Sequence, residues 1–68
     1  MFKDKNGKEI KVGDHIIPND GKELVITSIK AIEDLEGDVM IGRQVENMDC
    51  FSLLEKSNLE KQWTLKGE

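Results

Sequence analysis

Asp4-Lys5-Asn6-Gly7 and Gly13-Asp14 are both turn sequences, and only Lys8 to Val12 lies between them. Glycine admits the backbone angles that tight reversals need, and Asp and Asn side chains bond back onto the neighbouring backbone. A strand-length piece bent at both ends, followed by the β-branched pair Ile16-Ile17, specifies small antiparallel β-structure. It specifies no particular activity.

The chain has 68 residues, which bounds it to one domain, residues 1–68. A chain of this size buries a small fraction of its surface and folds with little margin. Cys50 is the sole cysteine, so no intrachain disulfide forms, and no cluster has metal-ligand spacing. Stability is expected from a compact apolar core, from dimerisation or from a partner. A lone thiol suits a reducing compartment. Met1-Phe2-Lys3-Asp4 runs straight into charge, without the apolar stretch of a signal peptide. Nothing approaches the roughly 20 apolar residues of a membrane span. The expectation is a soluble cytoplasmic protein.

Glu9 to Val12 alternates, with Ile10 and Val12 on one side, the period of a half-buried strand. His15-Ile16-Ile17 is a second short strand, ended by Pro18-Asn19-Asp20-Gly21. Glu23 to Ile32 is the longest strand candidate. Leu24 and Ile26 share a parity and Ile29 does not, so a bulge near Thr27-Ser28 is expected to return Ile29 to the core face and bend the strand. A helix with Val25, Ile29 and Ile32 on one side competes, but the segment is β-branched and follows a turn cluster.

Asp34-Leu35-Glu36-Gly37 reads as a hairpin tip with a return strand over Asp38 to Val45. Val39, Ile41 and Val45 share a parity and predict its core face, interrupted by Arg43, with Met40 opposite. Gly42 in the strand interior marks a bulge or a close backbone approach. After a loop at Glu46-Asn47-Met48-Asp49, Cys50 to Leu54 reads as a strand. A short helix presenting Met48, Phe51 and Leu54 is the alternative. Ser57-Asn58-Leu59-Glu60 matches a capping box with Ser57 as N-cap, predicting one helical turn of α or 3₁₀ type. Gln62 to Leu65 closes the fold as a last strand, with Trp63 expected in the core.

About five short strands with a helical turn before the last resemble the small SH3-like antiparallel barrel. Asp4, Gly7, Ile10, Val12-Gly13-Asp14 and Ile16 carry the resemblance at the start. Gly21, Leu24, Ile26, Ile29, Gly37, Val39 and Ser57 to Glu60 carry it later. The opening Ile-x-Val-Gly-Asp is similar to that of many SH3-like and translation-factor-type barrels. It also resembles small uncharacterised proteins encoded by phages and prophages of low-GC Gram-positive bacteria. The five-stranded OB-fold is the rival architecture. The resemblance carries over no functional residue, and a fold does not define a function.

The chemistry-bearing residues are sparse. His15 and Cys50 are the only imidazole and thiol, and a nucleophilic pair needs them in hydrogen-bond contact. Glu33-Asp34-Leu35-Glu36-Gly37-Asp38 supplies oxygens near a glycine, but lacks the ligand order of a calcium loop. Neither glycine-rich phosphate motif is present. No catalytic residue, cofactor or metal is therefore expected. The net charge of −4 opposes phosphate backbones, yet Lys3, Lys5, Lys8 and Lys11 crowd the first segment beside Phe2. Phe2, Lys3, Lys5, Lys8 and Lys11 are the candidate partner or nucleic-acid surface, and a solvated turn is their plain structural reading. With no Tyr and one Trp, an aromatic groove for proline-rich peptides is not available. Protein–protein interaction or self-association through strand edges is the leading expectation, and nucleic-acid binding the second.

Overall fold

The computed structural model describes residues 1–31 and 37–67. In chain order the elements are β1 (Phe2–Lys3), β2 (Glu9–Ile10), β3 (His15–Pro18), β4 (Leu24–Ala31), β5 (Asp38–Gln44), β6 (Phe51–Leu54), α1 (Lys56–Gln62) and β7 (Trp63–Leu65). The fold is mainly β and antiparallel. β1 and β2 form a two-stranded ribbon, and the rest form a five-stranded sheet in the order β6-β5-β4-β3-β7. The described strands make an open sheet with two edges. The expected tip at Asp34 to Glu36 falls among residues 32–36, outside the described residues.

The two early turns form where their residues dictate. Gly7 adopts φ +82° and its N–H reaches the Asp4 carbonyl at 3.0 Å. The Asp4 carboxylate accepts the backbone N–H of both Asn6 and Lys8 at 2.9 Å. Gly13 adopts φ +97°. The Asp14 carboxylate accepts the Lys11 N–H at 2.8 Å, while the Asp14 N–H bonds the Lys11 carbonyl at 3.0 Å. That second turn begins at Lys11, so β2 stops at Ile10. Val12 is therefore not on the core face as expected, but 54% exposed.

The bulge forms as expected: the β4–β5 register slips between Ile26 and Ser28. Ile29 then lies opposite Met40 and so shares its face. It nevertheless stays 44% exposed.

The parity expected for β5 is reversed. Met40 is fully buried on the core face, opposite Ile29 on one side and Leu54 on the other. Val39 and Ile41 are buried on the reverse face, and Val45 is exposed beyond the strand end. Alternation identifies which residues share a face, not which face packs inward. Gly42 marks the inward one. A Cβ there would lie 3.0 Å from the terminal carbons of both Leu24 and Leu54.

The segment that read as strand or helix is a strand, β6, paired with β5 through Met40–Leu54 to Arg43–Phe51. The helical turn before the last strand is a seven-residue α-helix. Ser57 is not its N-cap. The helix starts two residues earlier than that cap implies, with Glu55 in the cap position and no side-chain capping bond. What holds α1 is burial of Leu59, which has no exposed surface. The core centre is Ile16, Ile26, Met40 and Leu59, with Phe2, Ile10, Leu24 and Leu54 around them. Trp63 is not that centre. It packs partly buried at the margin, where its indole N–H donates to Asn58 Oδ1 at 3.0 Å.

Candidate functional site

The two sheet edges differ. At the β7 edge, the Lys5 N–H donates to the Trp63 carbonyl at 2.9 Å, and the Leu65 N–H donates to Asp4 Oδ2 at 2.9 Å. The ribbon turn therefore covers β7. Among the described residues, the β6 edge pairs with β5 alone. Its Phe51 is 57% exposed and its Leu53 48% exposed, on the face opposite Leu54. Both lie on the outer side of the sheet, in cross-strand rows with Arg43 and Ile41. The Arg43 guanidinium sits 5.4 Å from the Phe51 ring centroid and donates to the Met48 carbonyl at 2.8 Å. Val45 and Met48, in and beside the adjoining turn, are also exposed. An uncharged edge strand with large exposed side chains invites a further strand, because native edges are more often blunted by charge.

The residues singled out from sequence are divided by the structure. Lys3, Lys5, Lys8 and Lys11 are all exposed on or beside the ribbon. Lys5 Nζ donates to Asn19 Oδ1 at 2.9 Å. Phe2 does not join this surface. Its ring belongs to the core, because β1 pairs it with Ile10 on the ribbon's inward face. Phe2 thus gives the lysines no stacking platform, since a ring that stacks on bases must be exposed.

A groove of about 370 Å³ opens where the inner face of the sheet meets the end of α1. Pro18, Leu24 and Trp63 line it together with Gln44, Ser52 and Gln62. Asp20 and Lys22 also line it, so one charge of each sign stands with the neutral hydrogen-bonding groups beside the tryptophan.

His15 and Cys50 are separated in the sheet. His15 begins β3, and its Nδ1 contacts Glu23 Oε2 at 2.6 Å. Lys66 Nζ lies 3.3 Å from the other Glu23 oxygen. The bond to His15, with Lys66 assisting, holds the Glu23 carboxyl below its ordinary value. Cys50 precedes β6, with β5 and β4 between that strand and β3, and its Sγ accepts from Asn47 Nδ2 at 3.4 Å. The pair is not assembled. Among the described residues no group of three His, Cys, Asp or Glu side chains is placed to hold a metal ion. Glu33, Asp34 and Glu36 of the acidic segment lie outside the described residues. Among the described residues no helix is long and apolar enough to cross a membrane.

The β6 edge was the part that sequence reasoning missed. Cys50 to Leu54 read only as a strand or a short helix, whereas the usable signal was that this run is uncharged in a chain that is 35% charged. Comparison of the chain with family models, curated proteins and solved structures finds no match.

Proposed function

We propose that this chain is a small non-enzymatic binding module that acts by accepting a strand of another polypeptide along β6. The carrying observation is the unpaired β6 edge with Phe51 and Leu53 exposed on it, while the opposite edge is covered by the ribbon. Backbone pairing supplies affinity in such a contact, and side chains at alternate positions supply selectivity.

The strand path supports an SH3-like reading of the architecture. β3, β4, β5 and β6 are successive antiparallel neighbours, α1 intervenes, and β7 returns beside β3. A curled sheet with that path keeps β6 and β7 at its two open ends.

Selection from a displayed library of random peptides tests the binding reading. Enriched peptides should lose binding to a Phe51→Ser, Leu53→Ser variant that still melts cooperatively. Enrichment that survives this variant would place the site elsewhere. Nucleic-acid binding is the second reading, favoured by the exposure of Lys3, Lys5, Lys8 and Lys11 on one ribbon. It expects salt-sensitive amide shifts at these lysines on addition of a single-stranded oligonucleotide.

A further inference from the structure

The backbone of β6 has a direction. The Gln44 N–H bonds the Cys50 carbonyl at 3.0 Å, so the Cys50 backbone faces β5. Antiparallel ladders alternate, and the register pairs Gly42 with Ser52 and Met40 with Leu54. Ser52 and Leu54 therefore spend their backbone groups on β5. The N–H and C=O of Phe51 and Leu53 point away from the sheet. The residues with exposed side chains are thus the ones that offer pairing groups to a new strand.

The ends of this edge are acidic. Asp49 and Glu55 flank it, and both are exposed. Lys56, the next residue, lines a separate recess with Met1, Phe2, Gly37 and Asp38. Asp49 lies in the Asn47–Cys50 turn before the apolar pair Phe51 and Leu53, Glu55 caps α1 after it, and the Arg43 guanidinium lies over the Phe51 ring between them. A second copy complements it poorly. Two-fold antiparallel pairing centred on Ser52 places Phe51 opposite Leu53, and brings the end of each copy that carries Asp49 beside the end of the other that carries Glu55. Like charges brought together destabilise a strand pair, and each copy also carries a net charge of −4.

We propose that β6 accepts an extended segment of a different protein, with apolar side chains at two alternate positions and a Lys or Arg two residues beyond each. The basic residues meet Asp49 and Glu55, the apolar pair lies beside Phe51 and Leu53, and the segment runs antiparallel. This inference rests on the strand-accepting reading of β6 and adds the identity of its partner class.

The test uses the full chain and a synthetic peptide, acetyl-Lys-Thr-Val-Thr-Val-Thr-Lys-amide, with a comparator in which both Lys are Glu. The Lys peptide should shift the amide resonances of Phe51 and Leu53, bind more weakly as salt is raised, and outbind the Glu peptide. Asp49→Asn with Glu55→Gln should weaken it about three- to tenfold. Leu53→Pro should abolish binding without unfolding the protein, because the lost N–H faces outward. Equal binding of the two peptides would overturn the charge assignment and leave the edge reading standing. No peptide binding, together with a concentration-dependent mass that Leu53→Pro removes, would make a second copy the partner and overturn this inference alone. No peptide binding and a constant monomer mass would overturn both.

Discussion

The Asp4 carboxylate accepts the backbone N–H of Leu65 at 2.9 Å, across 61 positions of sequence. One buried oxygen joins the first turn to the last strand. The other accepts two N–H groups of that turn. The same contact seals the β7 edge, so it also decides which edge of the sheet remains available.

Asp4→Ala should therefore destabilise the fold by roughly 2–5 kcal/mol, since several N–H groups lose a charged acceptor together. Asp4→Asn should recover only part of the loss. A carboxamide has one acceptor oxygen, so either the turn or Leu65 goes without. Urea unfolding of the two variants checks the order. Equal midpoints for wild type and Asp4→Ala would show that the clasp contributes nothing.

Gly13 should resist replacement for backbone reasons alone. Its φ is +97°, and a Cβ there would meet nothing within 4 Å. Gly13→Ala should cost about 1–2 kcal/mol and Gly13→Val at least as much. A D-alanine at this position, introduced by chemical synthesis, should be tolerated. Comparable damage from the L and D residues would mean that space, not φ, is the constraint.

Gly42 presents the opposite case. Its backbone is ordinary strand, but Leu24 and Leu54 crowd the site at 3.0 Å. Gly42→Val should overpack the inner face and cost about 1–3 kcal/mol. Gly42→Val with Leu54→Ala should recover part of that loss relative to the sum of the single variants, which a double-mutant cycle in denaturant reads directly.

Trp63→Ala should cost less than the roughly 3–5 kcal/mol typical of an enclosed aromatic, because the ring lies at the margin of the core. Trp63→Phe should lose about 1 kcal/mol, mostly the bond to Asn58. An intrinsic emission spectrum characteristic of a fully enclosed indole would contradict this placement.

Glu23 links stability to pH. Its carboxyl is held below the ordinary value of 4.5 in the folded protein, first by the bond from His15. The folded state therefore binds its proton less readily than the unfolded chain does. The contribution is fully present above about 4.5, and is lost as pH falls through the lower folded value. In Glu23→Gln that acid-side dependence should be missing, so denaturation midpoints of variant and wild type should converge as the solution is acidified. A constant gap across this range would remove Glu23 from the linkage.

Turn positions and strand identity were legible because they are set within a few residues. Gly7 and Gly13 need backbone angles that other residues avoid, Asp4 and Asp14 carry their acceptors to adjacent N–H groups, and β-branched runs favour extended chain. Even the bulge at Thr27 announced itself, through one break in an apolar alternation. The acidic segment at residues 33–36 adds nothing to this comparison, since it lies outside the described residues.

Faces and edges were decided elsewhere in the molecule. Val39, Met40 and Ile41 are all apolar, so alternation alone leaves both faces of β5 eligible. The helix resolves it by burying Leu59 with Met40 in one core. Phe2 went inward and Phe51 outward for a similar reason: what covers a ring depends on elements distant in the chain. Strand periodicity arises from short-range backbone geometry, whereas solvent exposure is a property of the assembled sheet.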